Sequence, residues 1–330
     1  MFGQAKEIIL AIDGGGTTTR CMAIDSGGLI RGTGGGGPSN HILSPLDVVR
    51  ASIRQAIEEA LHTAHIAPGD VRCISLGTAG IGPNGEGKEI IEEIAREVLS
   101  TETVTATGDM VIAFHGAILE GFGVVANAGT GSVVYGVSPS GANRQVGGWG
   151  HILGDEGSAY AIALEGLRAG ARHFDGRGEF TTLVDRIPEA LDVSDYIQVA
   201  LKIYGLNMAR EEIASLARTV DAAAREGDEV SRRILRAAGE ELALGVTVAI
   251  RELGMEGRDL PVSYIGSVFD SGEFIVRPFA EAILLRYPRV RVLPPKFPAV
   301  IGAFFLGARA IGWSISAEML MNIKRCLLAA

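Results

Sequence analysis

The chain has 330 residues and 47% hydrophobic content, enough to bury a core in each of the two domains expected at this length. Its formal net charge of −9 argues against nucleic acid and anionic membranes as partners, because binding to either requires a concentrated basic surface. Small anionic ligands fit this composition, since they need only a few local donors.

We expect a cytoplasmic protein in a reducing compartment. The longest apolar candidate for a membrane span, residues 300–313, is interrupted by Arg309. The apolar run that follows Glu7 is too short for a secretory signal. The three cysteines are widely separated and form no CxxC pair, so neither a zinc knuckle nor a cysteine-bound cluster is predicted within one chain.

The first predicted element is a β-hairpin with strands over residues 8–12 and 21–24. Its loop contains glycines, expected to adopt positive φ and bring N–H groups close to a ligand, and threonines that add hydroxyls. This composition predicts a phosphate site. Asp13 ends the first strand, where a carboxylate would repel phosphate unless a cation lay between them, which implies Mg²⁺. The alternative is a plain turn in which Asp13 forms an Asx turn.

A second hairpin of the same kind is predicted over residues 123–137. It again has two β-rich runs, joined here by an Ala-Gly-Thr-Gly-Ser loop. Thr17 and Thr130 hold equivalent positions in the two loops. Two phosphate-type hairpins predict a duplicated domain whose halves face each other across a cleft.

The region between the hairpins alternates strands and helices. Strands are predicted from about residue 29 and over 71–76 and 103–107, and helices over 44–65, 88–99 and 110–119. Asp109 lies between the strand 103–107 and the helix that follows, and ligands of open α/β sheets gather at this end of a strand. We interpret Asp109 as a catalytic base for phosphoryl transfer, although a helix N-cap explains it equally well and is compatible with that role.

The second half begins with a glycine-rich loop, residues 145–157, and a helix from about residue 158 to residue 169. Helices then follow without strands over residues 181–187, 194–204, 209–225 and 229–253. Strands return at 262–265 and 290–293, with helices over 273–285, 299–311 and 316–328. The pattern predicts an α/β fold with a helical insertion at about 170–255, a first domain over 1–117 joined by the last helix (about 314–330), and a second domain over 118–313.

Six motifs carry a resemblance to a known family. DGGGTTTR, GGGPSN, GDM, NAGTGS, GGWGHILGDEGSAY and IGSVFDSG follow one another in the chain and resemble the N-acetylglucosamine kinases of the BadF-type ATPase family, within the sugar kinase/Hsp70/actin superfamily. The resemblance covers nearly the whole chain. It implies a two-domain actin-like (ribonuclease H-like) ATPase fold with an interdomain cleft. It also implies a hexosamine kinase that uses ATP and Mg²⁺ to phosphorylate the 6-hydroxyl of an amino sugar, with N-acetylglucosamine as the first candidate.

The resemblance also implies roles for individual residues. Asp13 corresponds to the Mg²⁺ residue, and Asp109 to the base that activates the sugar hydroxyl. The residues that correspond to the two phosphate loops and to an adenosine-contacting turn are Gly15, Gly16, Thr17, Gly129, Thr130, Gly131, Gly266 and Ser267. The residues that correspond to the sugar site are Asn40, Asp109, Gly148, Trp149 and Asp155. Glu156 is an alternative to Asp155, and Trp149 is alternatively a core residue.

Several alternatives stay open. His41 and Ile42 stand where some family members carry an aromatic residue, so glucosamine or N-acetylmuramate is an alternative acceptor. An electron-transfer-activating ATPase of the same family would need a cysteine-bound iron–sulfur cluster, and no suitable cysteine follows the second hairpin. A sugar-binding regulator without catalysis is the third reading. A homodimer is expected from the helix-rich, acidic second half.

Overall fold

The computed structural model describes residues 7–82, 84–205 and 207–329. The chain forms two compact units, of which unit 1 is Met1–Leu119 with Pro295–Ala330, and unit 2 is Glu120–Pro294. The strands are β1 (Ile8–Gly14), β2 (Thr19–Asp25), β3 (Ile30–Gly36), β4 (Val71–Thr78), β5 (Thr103–Gly108), β6 (Gly123–Ala128), β7 (Ser132–Val137), β8 (Asn143–Gly147), β9 (Leu260–Ile265) and β10 (Val290–Leu293). The helices are α1 (Leu46–Ala64), α2 (Lys88–Val98), α3 (Asp109–Ala117), α4 (Ala159–Phe174), α5 (Leu183–Ala190), α6 (Tyr196–Gly205), α7 (Arg210–Ser215), α8 (Ala217–Arg225), α9 (Glu229–Glu252), α10 (Glu273–Arg286), α11 (Ala299–Ala310) and α12 (Ala317–Ala329).

Unit 1 is built on a five-stranded sheet with the strand order β3-β2-β1-β4-β5. Strands β1 and β2 form the predicted antiparallel hairpin, whereas β4 runs parallel to both β1 and β5. The carboxyl ends of β1, β4 and β5 therefore meet at one edge of the sheet. That edge receives the loops that follow these three strands.

Helices cover both faces of this sheet. Side chains alternate along a strand, so Ile8 and Ile12 of β1 face the core formed with α1 and α2. Ile9 faces the opposite core, which contains Phe304 and Phe305 of α11. A sheet buried on both sides explains why β1 is apolar along nearly its whole length.

The position of α11 differs from the sequence prediction, which assigned residues up to 313 to the second domain. In the structure the chain returns to unit 1 at Pro295, before α11 begins. A Cβ at Gly302 would lie 1.8 Å from the Ile112 carbonyl oxygen, so α11 packs directly against α3. The apolar pattern of α11 predicts burial but contains no information on which sheet it covers.

Unit 2 has a second five-stranded sheet, with the strand order β10-β9-β6-β7-β8. The predicted hairpin is present as β6 and β7, and the predicted run of helices is present as α5 to α9. Strand β8 was not predicted, and its residues fell partly in the glycine-rich loop. It is an edge strand whose first three residues are exposed and polar, so it lacks the apolar alternation that reveals a strand. Within the described residues, no helix combines the length and apolar character that a bilayer crossing requires.

Candidate active site

Two carboxylates lie at the carboxyl-end edge of the unit 1 sheet. Asp13, near the end of β1, is in register with Gly77 of β4, and Gly77 is in register with Thr107 of β5. Asp109 follows β5 directly, as the first residue of α3. The two strand ends are separated only by β4, which corresponds to about 10 Å between backbones. The structure thus brings together the predicted metal residue and the predicted base.

The prediction that Asp109 is a helix N-cap is wrong by one residue. Gly108 holds the N-cap position, and Asp109 is the first helical residue. Its Oδ1 accepts a hydrogen bond from the Met110 N–H at 2.8 Å. A carboxylate in the first turn of a helix is favoured by the helix dipole and still has a second oxygen to offer a ligand.

Partial burial raises the pKa of both carboxylates. Desolvation raises the pKa of Asp13 to about 6, the charge of Asp109 adds to the rise, and Arg20 opposes it. Desolvation also raises the pKa of Asp109, against backbone hydrogen bonds that lower it. Two partly buried acids that are not fully neutralised favour a bound cation.

A magnesium ion fits this donor set. Mg²⁺ in nucleotide sites is held by one or two carboxylates, by water and by the phosphates of the ligand. Among the residues that the structure describes, no group of three His, Cys, Asp or Glu side chains could hold a metal by itself. Asp13, at the sheet edge beside the first phosphate turn, is the carboxylate that the sequence predicts for this ion.

The first phosphate turn connects β1 to β2. The Gly15 N–H donates to the Thr18 carbonyl at 2.8 Å, and Gly16 and Thr17 are exposed at the tip. The expected positive φ values are wrong, because none of the three glycines has one. Gly14 is required for close packing instead, since a Cβ there would lie 2.2 Å from Ser39 Oγ.

The segment that carries Asn40 braces this turn. The Ser39 N–H donates to the Gly15 carbonyl at 3.0 Å. Asn40 Oδ1 accepts from the N–H groups of Ile42 (3.0 Å) and Leu43 (3.3 Å), so its amide nitrogen is the group left to donate to a ligand. Asn40 Oδ1 would lie 2.6 Å from a Cβ at Gly80, just beyond β4, which places it at the same sheet edge as Asp13.

The second phosphate turn, in unit 2, connects β6 to β7. The Gly129 N–H donates to the Gly131 carbonyl at 2.9 Å. The start of α4 closes on this turn, because the Ala159 N–H donates to the Gly129 carbonyl at 2.9 Å and the Tyr160 N–H to the Thr130 carbonyl at 3.3 Å. The two predicted phosphate loops are therefore both tight hairpin turns at the end of a sheet.

Asp155 lies directly behind the second turn. Its carboxylate is 4% exposed, Oδ1 accepts from the Ser132 N–H at 3.3 Å, and Oδ2 pairs with Arg210 Nη2 at 2.6 Å. Both oxygens thus have protein partners, and the expected contact of Asp155 with the sugar stays a prediction. Glu156, the alternative carboxylate, is exposed, and its carbonyl accepts from Ser132 Oγ at 2.7 Å.

The loop that carries Gly148 and Trp149 is held in a shape that favours glycine. Gly147, Gly148 and Gly150 all have positive φ, a region that L side chains rarely adopt. Trp149 is 73% exposed, so its alternative reading as a core residue is wrong. A large exposed aromatic ring is available to stack on the apolar face of a ligand.

A cavity of about 270 Å³ in unit 2 joins two features that lie far apart in the sequence. Its wall includes Thr130 of the second phosphate turn and Ser267 of the predicted adenosine turn. Gly266 holds this second turn against the end of β6, since a Cβ there would lie 2.3 Å from the Ala128 carbonyl oxygen. The remaining lining mixes apolar and polar side chains, among them Ile162, Ser215, Leu235 and Val268.

Arg210 is the functional candidate that sequence reasoning missed. It is an ordinary arginine at the start of α7, within the helical insertion, and no motif surrounds it. It is remote from Asp155 in the sequence, and only the packing of α7 against α4 brings the two together. No sequence signal could have identified it.

Two characterised sugar kinases are similar in sequence to this chain over most of its length. N-acetylmuramic acid/N-acetylglucosamine kinase of Clostridium acetobutylicum is 33% identical over 300 residues, which cover 90% of this chain and 97% of that protein. N-acetyl-D-glucosamine kinase of Dictyostelium discoideum is 27% identical over 313 residues, which cover 92% of this chain and 98% of that protein.

Solved structures share the fold. A Chromobacterium violaceum structure, solved for a proposed N-acetylglucosamine kinase, superimposes with a TM-score of 0.73 at 22% identity, covering 92% of this chain and 99% of that one. A ROK family glucokinase from Streptomyces griseus, solved with glucose and AMPPNP, gives 0.56 at 17% identity with the same coverage of 92% and 99%. These similarities confirm the predicted fold class, a two-domain α/β fold of the actin-like ATPase type.

The family prediction is confirmed as well. The model of the BadF/BadG/BcrA/BcrD ATPase family matches residues 10–307, which is most of the chain. With a family match of this extent and a relative above 30% identity, the chain belongs to the BadF/BadG/BcrA/BcrD ATPase family.

Proposed function

We propose that this protein is an ATP-dependent amino sugar kinase that transfers the γ-phosphate to the 6-hydroxyl of the sugar. The observation that supports it most is the grouping of Asp13, the first glycine–threonine turn, Asn40 and Asp109 at one sheet edge of unit 1. Phosphoryl transfer needs a metal-binding carboxylate, phosphate donors and a base for the acceptor, and that edge supplies all three.

Each group of predicted site residues has a separate role in the proposed reaction. The N–H groups of Gly16, Thr17, Thr130 and Gly131 and the two threonine hydroxyls bind the phosphates. Gly15 and Gly129, whose N–H groups close the two turns, let the phosphates approach the backbone. Asp13 holds Mg²⁺, which when bound neutralises charge on the phosphates. The Asp109 carboxylate accepts the proton of the sugar hydroxyl, since in its ionised form it has an oxygen free to do so. Gly266 and Ser267 contact the nucleoside, which the cavity beside Thr130 would receive.

Asn40, Gly148 and Trp149 are proposed to bind the sugar. The Asn40 amide donates to a sugar hydroxyl, and the exposed ring of Trp149 covers an apolar face of the sugar. Gly148 keeps the loop that presents Trp149 in its positive-φ shape. The first candidate acceptor is N-acetylglucosamine. N-acetylmuramate is the second candidate, because the Clostridium acetobutylicum relative is named for both sugars.

The test is a coupled ADP-release screen with Mg²⁺ and ATP over N-acetylglucosamine, N-acetylmuramic acid, glucosamine and glucose. Phosphorus NMR of the product then reports whether the phosphate is on the 6-oxygen. Turnover with N-acetylglucosamine supports the proposal, and the absence of turnover with every sugar rejects it. Omission of Mg²⁺ should abolish turnover, and stepwise replacement should restore it.

We further propose a cytoplasmic homodimer without nucleic acid or membrane partners. The free cysteines, two of them buried, suit a reducing compartment. One face of α6 exposes Ile197, Leu201 and Tyr204, which are spaced one helical turn apart, and such a face favours a protein contact. Sedimentation equilibrium should give twice the chain mass, and a monomer at all micromolar concentrations would reject the dimer.

A further inference from the structure

We propose that Arg210 is a positioning residue for the second phosphate turn and acts by neutralising Asp155. This inference rests on the proposed function, because it concerns how the turn that would bind ATP tolerates a carboxylate behind it. Asp155 lies against the backbone that is to receive an anion, and a bare carboxylate in that position would repel the phosphates. The guanidinium of Arg210 supplies the opposite charge at 2.6 Å.

The contact is made at the backbone of the turn itself. A Cβ at Gly131 would lie 2.5 Å from Arg210 Nη2 and 2.8 Å from Asp155 Oδ2, so the ion pair is in contact with the Gly131 Cα. The other oxygen of Asp155 accepts from the Ser132 N–H, one residue farther along the turn. The pair therefore fixes the turn mechanically and sets the charge immediately behind it.

The two members of the ion pair depend on each other for charge neutralisation. Asp155 is buried, whereas the Arg210 side chain is one-third exposed. Arg210 Nε is buried and has no hydrogen-bond partner within the described part of the chain, so Asp155 is the acceptor on which the guanidinium depends. Removal of the arginine would leave an unpaired buried carboxylate next to the phosphate site, which is far more harmful than removal of both groups.

The pair also connects the helical insertion to the nucleotide cavity. Arg210 begins α7, and the next residues of the same helix, including Ala214 and Ser215, line the cavity that contains Thr130. The insertion thus supplies a wall for the nucleoside and, through Arg210, the counter-charge for the turn beside it. Asp155 has positive φ, an uncommon conformation for a residue other than glycine, which indicates that its position is enforced by these contacts.

The experiment measures the binding of ATP and of adenosine, by calorimetry without sugar, to the full chain and to four variants. These are Arg210→Gln, Arg210→Lys, Asp155→Asn and the double variant Arg210→Gln/Asp155→Asn. Arg168→Gln is the matched control, because Arg168 pairs with the exposed Glu165 on the surface of α4. Adenosine lacks phosphates, so its affinity reports on the cavity without the charge effect.

We expect Arg210→Gln to weaken ATP binding by at least about tenfold, because a charge is left unpaired a few ångströms from the phosphates. The double variant should stay within about threefold of the wild type, since no net charge remains behind the turn. Asp155→Asn leaves the positive charge of Arg210 alone, so it should bind ATP at least as tightly as the wild type. Arg210→Lys keeps the charge and should bind ATP within about threefold of the wild type as well, which provides a test even if the glutamine variant fails to fold. Adenosine affinity should be unchanged throughout.

Three outcomes overturn the inference. A double variant as weak as Arg210→Gln would mean that Arg210 binds phosphate directly, and a parallel loss of adenosine would mean that the pair only supports the fold. A weak Arg210→Lys variant would likewise reject charge neutralisation. If the wild type binds ATP and phosphorylates sugar but the variants do not show the expected ATP affinities, only this inference fails. If the wild type binds no ATP, the proposed function fails with it.

Discussion

Asp13 and Asp109 lie at the ends of two parallel strands, β1 and β5, that flank β4, and the negative charge of Asp109 helps to raise the pKa of Asp13. Neither acid is fully neutralised by a protein partner, since Arg20 only partly offsets the rise for Asp13. Such a pair of acids is stabilised either by protonation or by a bound cation. The two acids therefore connect metal binding, base chemistry and protein stability.

Replacement of Asp109 by Asn should separate chemistry from binding. The amide keeps the shape of the carboxylate but cannot accept the proton of the sugar hydroxyl, so kcat should fall by about 10²- to 10⁴-fold. The Kd of ATP should change little. Glu89→Gln is a control, because Glu89 is an exposed first-turn carboxylate on α2 of the same unit. An Asp109→Asn variant with near-normal kcat would show that another group is the base.

Binding of Mg²⁺-ADP should weaken as the pH falls below about 6, the value to which burial raises the pKa of Asp13. Protonated Asp13 cannot hold the metal, and the carboxylate form returns as the pH rises. In Asp109→Asn the midpoint should move to lower pH, because one cause of the raised pKa is removed. Calorimetric titrations between pH 5 and 8 on both proteins would check this. A flat profile for the wild type would remove Asp13 from the metal site.

Asp13→Asn should stabilise the protein near pH 7.5 while it abolishes activity. The pKa of Asp13 in the folded state, about 6, is above its reference value of 3.8, so the folded chain holds the proton more tightly. The cost of the carboxylate is thus absent well below pH 3.8, grows between pH 3.8 and about 6, and is complete above that range. The expected gain is about 1–3 kcal/mol in unfolding free energy at pH 7.5, vanishing near pH 4.

Chemical denaturation at the two pH values measures that gain. Asp25→Asn is the matched control, for which the expected change in unfolding free energy has the opposite sign. Asp25, at the far end of the same hairpin, accepts from the N–H groups of Gly27 and Leu29 and pairs with Arg31 at 2.6 Å, so its loss should destabilise the protein. If Asp13→Asn also destabilises it at pH 7.5, the buried carboxylate carries no penalty.

Alanine substitutions should distinguish the two glycines of the second turn. A Cβ at Gly131 would collide with Arg210 Nη2 and Asp155 Oδ2, whereas a Cβ at Gly129 would have no atom within 4 Å. Gly131→Ala should therefore lower the unfolding free energy of the ligand-free protein by about 1–3 kcal/mol, the usual cost of overpacking. Gly129→Ala should leave it nearly unchanged. Thermal melts without ligand isolate this effect from any contact with phosphate, and equal losses would refute the packing argument.

The two hairpins and the position of Asp109 could be predicted because each depends only on residues that are close together in the sequence. The two hairpins follow from apolar runs around a glycine–threonine loop, and the position of Asp109 follows from a strand that ends just before it. The sheet order then brings Asp13 and Asp109 to one edge, as parallel strands require. The hairpins and the place of Asp109 after its strand need no long-range information, whereas the sheet order does.

Features that depend on tertiary packing were not predictable. Strand β8 is polar and exposed at a sheet edge, α11 covers a sheet formed by residues far away in the chain, and Arg210 reaches Asp155 only through the arrangement of the insertion. Gly14 illustrates the same limit, since a nearby Ser39 rather than a positive φ makes glycine necessary there. Sequence patterns indicate burial and turn formation, but they do not identify the partner.

The return of α11 and α12 to unit 1 has a consequence for biosynthesis. Ile9 is synthesised long before its core partners Phe304 and Phe305, because the whole of unit 2 lies between them in the sequence. Unit 2 is a single uninterrupted segment, so it can complete its core while the nascent chain is still attached. The sheet that carries Asp13 and Asp109 therefore keeps one face uncovered until α11 has been synthesised, which is after the whole of unit 2.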